Sequence, residues 1–488
     1  MEDSSTQKTI QGIKWSYIST IATAVMQVGY TAVMSRLLNP ADFGLVAMGG
    51  VVLRFGQYFA QMGMGSAVVQ KKDLTQENIS AAFTSSIFLG LIFSLLTIVL
   101  APLGGYLFKN NDLIPVLRLM GLSFFISGFS LTSLALIRRS IEFKALAFSE
   151  IFAFGVGYLV IGIGSALSGQ GVWSLVYASL SQSTILAGLT YLIRRHELKL
   201  SFHWADYKPL LSFGSKVSII SFLEFLGGSL DTFLIGRYFG NEKLGFYNRA
   251  QMLINLPLTY LITSFSRVLF PSLSQMQDDQ EILKQRILFI LKIISAVLFP
   301  FVALVSIFSR DIVTIILGDK WIASISLLSI LAYASGVDFL KHIIAVLFEA
   351  KGLLIEKFAL QSSYIIILGL FFYLAYPFGV IGFGIALLFA QFIRFIGFSI
   401  ILIKRINIPP FEYLKIYYPS FASMIILTMI LVPINYLLNL LSINYGLLIT
   451  VKIIAICILT MSVLSLKFNQ EIKQTITEIL RIMLKGEK

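Results

Sequence analysis

Charged side chains inside long apolar runs are the residues of this sequence best able to do chemistry. Arg54 and Arg394 each lie near the middle of such a run, and neither has an acidic residue within one helical turn. Charges inside a membrane span are costly and usually mark a function. Because a guanidinium is permanently charged and offers paired donors to phosphate, these residues predict a site for an anionic ligand. The candidate binding residues are Arg54, Arg118, Lys216, Arg249, Lys341 and Arg394.

Acidic residues accompany these cations on two predicted helices. Glu224 and Asp231 fall within roughly 80° of Lys216 around one helix, at 100° per residue. On another helix, Asp338, Lys341 and His342 share one face at positions i, i+3 and i+4. Glu349 continues this face toward the end of the helix. The carboxylates of Glu224, Asp231 and Asp338 are therefore candidates for coupling transport to a proton or Na⁺ gradient.

Two interpretations of these buried charges are open. In the first, they line a water-filled cavity that is net cationic at mid-depth and accepts an anionic ligand. In the second, they form internal ion pairs that fix helix packing, for example Lys216 with Glu224. The second interpretation leads for Arg249, because it lies close to a predicted membrane surface.

Composition excludes several other classes of protein. Hydrophobic residues make up 57% of the 488 residues and charged residues 13%, too apolar for a soluble or a disordered chain. One cysteine and three histidines argue against a disulfide framework and a metal centre. The chain has no GxxxxGK[ST] phosphate loop, so ATP is not the expected energy source, and no cofactor is predicted. The net charge of +13 is explained better by membrane topology than by nucleic-acid binding.

Hydropathy predicts an all-α polytopic membrane protein with about fourteen transmembrane helices. The predicted spans are 13–35, 42–67, 79–106, 113–136, 146–167, 171–193, 210–236, 244–270, 287–308, 322–348, 356–377, 380–403, 413–438 and 444–466. Paired basic residues fall in alternate connections: Lys71-Lys72, Arg138-Arg139, Arg194-Arg195 and Lys404-Arg405. Since basic connections stay in the cytoplasm, both termini are predicted there, in a multi-pass protein of the cell's inner membrane.

A duplication organises these spans. Arg36 to Gly44 and Arg237 to Gly245 have the same Arg-to-Gly spacing, and the second motif follows the first by 201 positions. Six helices per repeat place the two halves in the same orientation in the membrane. We therefore predict six-helix bundles at 1–200 and 205–405, followed by helices 13 and 14 at 406–467. A cytoplasmic amphipathic tail is predicted at 468–488.

Several stretches resemble the polysaccharide exporters of the multidrug/oligosaccharidyl-lipid/polysaccharide superfamily. The resemblance is closest to the exporters of colanic acid and teichuronic acid. Its most specific stretch is Leu230-Asp-Thr-Phe-Leu-Ile-Gly-Arg-Tyr-Phe-Gly240. The other stretches are Ser35–Ala47, Gln61–Gln70, Arg138–Ala147, Gly171–Val176, Leu244–Tyr247 and Arg267–Ser274. The resemblance implies a V-shaped pair of bundles that works by alternating access and holds a diphosphate in a cationic central cavity.

The function implied by this resemblance is transfer of an undecaprenyl-diphosphate-linked oligosaccharide from the inner to the outer leaflet. The chain is then a flippase and not an enzyme. Its expected partners are the lipid-linked oligosaccharide, membrane lipids, a polysaccharide polymerase and glycosyltransferases, with the chain itself a monomer. A cation-coupled multidrug antiporter of the same superfamily is the alternative, and an excess of acids in the cavity would favour it. A membrane-embedded glycan polymerase or ligase is a third hypothesis, but the predicted outer connections are short.

Overall fold

The computed structural model of the chain consists of helices joined by short connections. It describes residues 2–61, 64–71, 73–201, 204–275, 279–440 and Lys452. For 2–10, 13, 61, 204–221, 263–272, 274–275 and 439–440 it describes the backbone alone. Within the described residues there is no β-strand. Helices satisfy their own backbone hydrogen bonds, which is what a chain surrounded by lipid requires.

Internal contacts divide the chain into two units. The first comprises Met1–Arg249 with Ile316–Trp321, and the second comprises Ala250–Ile315 with Ile322–Lys488. In the first unit α4 packs on α6, α6 packs on α9, and α1 packs on α7. Its helices are α1 (Glu2–Leu37), α2 (Pro40–Gln61), α3 (Met64–Gln70), α4 (Gln76–Phe108), α5 (Leu113–Met120), α6 (Leu122–Arg139), α7 (Phe143–Phe154), α8 (Ile163–Leu167) and α9 (Val172–Ile193). The stretch Gly155–Gly162 between α7 and α8 is π-helical.

Helix α10 (Trp204–Gln275) belongs to the first unit at its beginning and to the second at its end. Gly240 interrupts it with φ +84° and ψ 176°, in a region of backbone conformation that favours glycine. The predicted spans 210–236 and 244–270 correspond to the two helical parts on either side of this residue. The break therefore falls between them, as the sequence predicted.

The second unit is built around α13. This helix packs on α11 and on α15, while α14 packs on α15 and α17 packs on α11. The helices are α11 (Gln280–Ile307), α12 (Ser309–Ile316), α13 (Ser324–Ala350), α14 (Leu354–Ala375), α15 (Gly379–Ile406), α16 (Pro410–Lys415) and α17 (Tyr418–Leu440). Lys452, in the predicted fourteenth span, places its ammonium 3.0 Å from both carboxylate oxygens of Asp311.

Polar residues before the apolar runs begin two of the longest helices. The Thr75 hydroxyl accepts a hydrogen bond from the Asn78 amide, and the Asn78 side chain accepts one from the Thr75 amide. Before α11, the Asp279 carboxylate accepts from the amides of Glu281 and Ile282. These caps satisfy amides that have no partner within the helix.

Ten segments in the described part of the chain are long and apolar enough to cross a membrane. They are Lys14–Leu37, Pro40–Ala60, Gln76–Phe108, Leu113–Arg139, Phe143–Leu167, Val172–Ile193, Gln280–Ile307, Ser324–Ala350, Leu354–Ile406 and Pro410–Leu438. The segment Leu354–Ile406 contains two helices, α14 and α15, joined by a 3₁₀ turn at Tyr376–Phe378. The polytopic all-α fold is thus confirmed. Apart from Lys452, the predicted span 444–466 and the tail 468–488 lie outside the described residues.

The duplicated motifs pack against each other through equivalent positions. A Cβ atom on Gly44 would overlap the carbonyl oxygen of Asn241, and one on Gly245 would overlap the carbonyl oxygen of Pro40. Position 241 follows position 40 by the same 201 residues that separate the two glycines. Glycine is thus required at both places because the two backbones touch. The bundle boundaries near 200 and 405 remain a prediction.

Arg36 and Arg237, the first residues of the two motifs, make equivalent contacts. Arg36 donates to the carbonyl oxygen of Ile316 at 3.0 Å, and Arg237 donates to that of Tyr106 at 3.2 Å. Ile316 is the last residue of α12, and Tyr106 lies in the last turn of α4. Each guanidinium therefore binds carbonyls near a helix C-terminus, where a cation is favoured.

Candidate functional site

In the second unit, two cations meet one carboxylate. The ammonium of Lys341 lies 3.0 Å from Asp338 Oδ1, one turn earlier on α13. Arg394 on α15 places its Nη1 atom 3.6 Å from the same oxygen. The packing of α13 on α15 thus brings Arg394 to Asp338 and Lys341, which the sequence had placed on one helix face. We refer to Asp338, Lys341, Arg394, Gln361 and Tyr364 as the Asp338 group.

Neutral side chains of α14 and α15 hold Arg394 in place. Its Nη2 atom donates to the Gln361 side-chain oxygen, and its guanidinium lies 4.4 Å from the centre of the Tyr364 ring. The Tyr364 hydroxyl in turn accepts a hydrogen bond of 3.1 Å from Gln391. A planar cation stacked on an aromatic ring and bound at its edge keeps one orientation.

The exposure of the Asp338 group differs from one side chain to another. Lys341 is 7% exposed and Arg394 is 10% exposed, whereas the Asp338 side chain is 36% exposed. The carboxylate is therefore the accessible member of a group with two positive charges and one negative charge. An incoming anion with two charged oxygens can compete with Asp338 for both cations.

The remaining polar residues of the α13 face extend the group toward the end of the helix. Glu349 accepts a hydrogen bond from Lys357 on α14, with 2.7 Å between Oε1 and Nζ. His342 interacts electrostatically with Lys341, Asp338, Glu349 and Lys357. The residues predicted to share one face of α13 thus interact electrostatically through His342.

In the first unit, Asp231 is buried and is bound by neutral donors. Its Oδ2 atom accepts 2.7 Å from the Tyr247 hydroxyl. Its Oδ1 atom accepts 2.6 Å from the Thr232 amide and 3.2 Å from the Thr232 hydroxyl. We refer to Asp231, Thr232 and Tyr247 as the Asp231 group. The three donors satisfy the oxygens of this buried carboxylate.

Arg54 lies on α2 near the Asp231 group and is exposed. Arg54 interacts electrostatically with Asp231 and with Tyr58. Glu224 also interacts electrostatically with Tyr58. Asp231, Glu224 and Arg54 therefore occupy one neighbourhood of the first unit. The side chain of Lys216, predicted to share it, lies outside the described residues.

The other two candidate cations lie elsewhere in the first unit. Arg249 stacks on Phe43, with 4.4 Å between the guanidinium carbon and the ring centre, and donates to the Asn248 side chain at 3.1 Å. Arg118 lies in a shallow depression lined by Pro115, Trp173 and Tyr177 among others. Neither arginine joins Arg54 through a contact between described residues.

Sequence reasoning missed the neutral members of both groups. Gln361 and Tyr364 are one turn apart on α14, and Tyr247 lies sixteen positions after Asp231, across the Gly240 break. Gln391, which donates to the Tyr364 hydroxyl, was also missed. Among the described residues there is no group of three or more His, Cys, Asp and Glu side chains that could hold a metal ion.

A family model described as "Polysaccharide biosynthesis protein" matches residues 33–326, which is more than half of the 488 residues. The chain belongs to this family. The matched range includes the duplicated motifs, Arg54 and the Asp231 group, and it ends before Asp338. The family assignment therefore covers the first candidate neighbourhood and leaves the second to be argued from its geometry.

Three relatives have similar length. An uncharacterized membrane protein in the cps region of Klebsiella pneumoniae is 28% identical over 348 residues, covering 71% of this chain and 72% of the relative. Teichuronic acid biosynthesis protein TuaB of Bacillus subtilis (strain 168) is 25% identical over 371 residues, covering 75% and 76%. Lipopolysaccharide biosynthesis protein WzxC of Escherichia coli (strain K12) is 25% identical over 354 residues, covering 71% and 70%.

Solved structures share the fold at low sequence identity. The inward closed conformation of the lipid II flippase MurJ aligns with a TM-score of 0.74 at 14% identity, covering 94% of this chain and all of that one. An inward-facing multidrug resistance transporter of the MATE family and MOP superfamily aligns with a TM-score of 0.62 at 18% identity, covering 79% and 94%. The predicted resemblance to polysaccharide exporters is confirmed by the family and its relatives. The solved structures show a shared fold, and the chain is a multi-pass membrane protein.

Proposed function

We propose that the chain moves a lipid-linked oligosaccharide, carried on undecaprenyl diphosphate, from the inner to the outer leaflet of the cell's inner membrane. The observation that carries this proposal is the Asp338 group, where two largely buried cations share one accessible carboxylate. A diphosphate offers at least two charged oxygens and can replace that carboxylate on both cations. Membership of a polysaccharide biosynthesis family and the fold of a lipid II flippase support a glycolipid as the source of the phosphates.

The proposed cycle exchanges one anion for another. With no substrate, Asp338 neutralises part of the charge of Lys341 and Arg394. When the diphosphate binds, the two cations turn to it, and Asp338 becomes the group that must be hydrated or protonated. This gives Asp338 a natural role in coupling to a proton or Na⁺ gradient, with Asp231 and Glu224 as the corresponding acids of the first unit. Alternating access between two repeats then exposes the bound headgroup to the other side.

Transport in liposomes tests the function directly. The wild-type protein, reconstituted with a fluorescent undecaprenyl-diphosphate oligosaccharide, is expected to equilibrate that lipid between leaflets faster than protein-free liposomes. Arg394→Ala is expected to lower the rate about 100-fold, since charged hydrogen bonds contribute about 1.5–3 kcal/mol each. Arg54→Ala is expected to lower it about tenfold, because an exposed cation interacts more weakly.

The matched control is Arg405→Ala on the same helix. Arg405 pairs with Glu356 and is 56% exposed, so its loss is expected to change the rate less than twofold. Equal rates for the wild type, Arg394→Ala and Arg54→Ala would remove these residues from the site. Absence of transfer by the wild type for every undecaprenyl-diphosphate glycan tested would refute the function itself.

A multidrug antiporter is the second candidate function, because a multidrug resistance transporter shares the fold. Such a protein binds organic cations, which an acidic cavity favours, whereas the Asp338 group carries more positive than negative charge. Rescue of growth in a drug-sensitive strain by the wild type, and loss of rescue in Asp338→Asn, would support the antiporter. The polymerase or ligase hypothesis has no such support from the two solved structures named above, a flippase and a transporter.

We also propose that both termini face the cytoplasm, on the basis of the basic connections. In a Cys457→Ser background, a membrane-impermeant thiol reagent added outside is expected to label Lys109→Cys and to spare Arg195→Cys. The reverse pattern would overturn the orientation. A monomer, with a polymerase and glycosyltransferases as partners in the same pathway, completes the proposal, and size measurement of the purified protein tests the monomer.

A further inference from the structure

An apolar cavity of about 640 Å³ lies in the first unit between α2, α4 and the early part of α10. Its wall includes Val51, Phe55, Phe93, Leu100, Leu226 and Phe233. Hydroxyl groups enter the wall at two positions, Thr97 and Ser229. The volume is in the range of sites that hold a small molecule, and the wall offers an occupant little hydrogen bonding.

The side chains that line the cavity determine what kind of molecule can occupy it. Water needs two to four polar partners to stay in a cavity, and a wall of leucine and phenylalanine side chains does not offer them. Helices α2 and α4 cross the membrane, so the surrounding solvent at this depth is hydrocarbon. The hydrocarbon chain of a lipid is therefore a better match for this lining than water is.

The position of the cavity along the membrane distinguishes between lipids. Along α4 the wall runs from Phe93 to Phe108, the last residue of that helix. Ile92 is the midpoint of α4, so the cavity lies along one half of this helix and its Phe93 end is near mid-depth. A phospholipid keeps its phosphate at the membrane surface, whereas the phosphate of a carrier that crosses the membrane passes mid-depth.

A cation lies beside the Phe93 end of the cavity, which Phe59 links to Phe55 through ring contacts. Arg54 directly precedes Phe55 on α2, so the guanidinium and the apolar wall are one residue apart. Arg54 is exposed, and it can therefore reach a phosphate attached to a chain within the cavity. An apolar slot next to an exposed cation is complementary to a chain that ends in a phosphate.

We propose that this cavity binds the polyisoprenoid chain of the lipid carrier. This inference rests on the proposed function for the identity of the lipid, and it adds a site for the chain that is separate from the Asp338 group. Holding the chain in the first unit keeps the carrier attached while its headgroup crosses the membrane. The site takes a long polyisoprenoid with or without an attached sugar, because its wall contacts the chain alone.

Photolabelling tests the site in the full-length protein. The probe is a polyisoprenyl phosphate with a photoreactive group on its chain, mixed with the purified protein in nanodiscs of phosphatidylglycerol. Labelling is expected on α4 between 93 and 108 and on α10 between 225 and 233. An excess of unlabelled polyisoprenyl phosphate is expected to reduce that labelling about tenfold.

Two leucines of α4 make a matched pair of variants. Leu100 lines the cavity and is 51% exposed, while Leu95 does not line it and is 53% exposed. Leu100→Trp is expected to lower labelling about tenfold by filling the space, and Leu95→Trp is expected to leave it unchanged. Leu226→Trp, which fills the cavity from α10, must reproduce the loss. Both filling variants are checked for wild-type thermal stability, so that a folding defect is recognised.

The outcomes separate this inference from the proposed function. Equal labelling of Leu100→Trp, Leu226→Trp and the wild type overturns the site. Equal labelling by a photoreactive phosphatidylglycerol, with no competition from polyisoprenyl phosphate, assigns the cavity to an ordinary phospholipid and also overturns it. Labelling that behaves as expected in a protein that moves no lipid-linked oligosaccharide would retain the site and refute the proposed function.

Discussion

The Asp231 group and the Asp338 group each stabilise a carboxylate on an apolar helix, but with different partners. Each places a carboxylate inside an apolar helix, where an uncompensated charge is costly. Asp231 is buried and accepts hydrogen bonds from a tyrosine hydroxyl, a threonine hydroxyl and an amide. Asp338 is more exposed and is bound by an ammonium and a guanidinium. Among the described contacts, Asp231 accepts hydrogen bonds from neutral donors with Arg54 in its neighbourhood, whereas Asp338 contacts two cations directly.

This difference indicates which of the two carboxylates an anionic substrate can replace. Hydroxyl and amide donors of the Asp231 group are fixed close to the carboxylate in the protein interior. Removing the carboxylate there would leave these donors without their acceptor in the protein interior. At Asp338 the partners are full charges near an accessible surface, so a substrate phosphate can take over the role of the carboxylate. The following predictions test this contrast, beginning with the largest effect.

Asp338→Asn is expected to lower the free energy of unfolding by about 2–3 kcal/mol, because two largely buried cations lose their anion. Inorganic pyrophosphate at millimolar concentration is expected to restore part of this loss by binding Lys341 and Arg394. Thermal unfolding in detergent, with and without pyrophosphate, measures both effects. If pyrophosphate stabilises the wild type as much as the variant, Asp338 does not compete with phosphate.

Asp231→Asn is expected to cost about 1–2 kcal/mol, since the amide oxygen of asparagine can still accept from some of the same donors. Pyrophosphate is not expected to restore this loss. The same thermal unfolding series measures it beside Asp338→Asn. Equal rescue of the two variants would show that the two groups respond to anions alike, and the contrast between them would be lost.

Tyr247→Phe is expected to lower the free energy of unfolding by about 1 kcal/mol, because it removes one hydrogen bond to the buried Asp231 carboxylate. Tyr373→Phe serves as the control, since Tyr373 is 79% exposed and its change is expected to be negligible. Thermal unfolding of both variants checks the difference. If Tyr373→Phe lowers the free energy of unfolding as much as Tyr247→Phe does, the hydrogen bond to Asp231 does not make the expected contribution.

His196 provides a smaller, pH-dependent test outside both groups. Burial beside Phe83 and Tyr191 lowers the pKa of its imidazole, although a hydrogen bond with the Glu197 carbonyl opposes the shift. The unfolded chain, with a histidine pKa of about 6.5, therefore binds the proton more readily than the folded protein does. Stability should therefore fall as the pH drops from about 7 through the histidine pKa of the unfolded chain, and the loss is expected to stay below about 1.4 kcal/mol.

Comparison with His196→Asn isolates this contribution from that of the carboxylates. The wild type is expected to lose more thermal stability than the variant between pH 7 and pH 5. Parallel stability curves for the two proteins would mean that His196 is as easily protonated in the fold as in the unfolded chain.

Some features of the fold followed directly from local sequence. Spans could be located because the length of an apolar run is a property of consecutive residues. The break at Gly240 was expected because a short polar interval separates the predicted spans 210–236 and 244–270. The family resemblance was readable for the same reason, since its motifs are continuous stretches such as Leu230–Gly240.

The candidate site was predictable only in part. Arg394 and Asp338 were both selected as charges in apolar helices, but nothing in the sequence paired residues on two different helices. Gln361 and Tyr364 gave no signal, because neutral polar residues are common in membrane helices. Arg249 and Arg118 met the same criterion as Arg394, yet the structure places one on Phe43 and the other in a shallow depression.

The sequence by itself determined the class of protein, the position of most membrane spans and the 201-residue repeat. These depend on hydrophobicity and on local motifs, which act between neighbours along the chain. Only the tertiary structure decided that Gly44 meets Asn241, that Lys341 and Arg394 share Asp338, and that Tyr247 binds Asp231. The physical reason is that charge pairing and backbone contact depend on distances of a few ångströms between separate segments, and helix packing alone sets those distances.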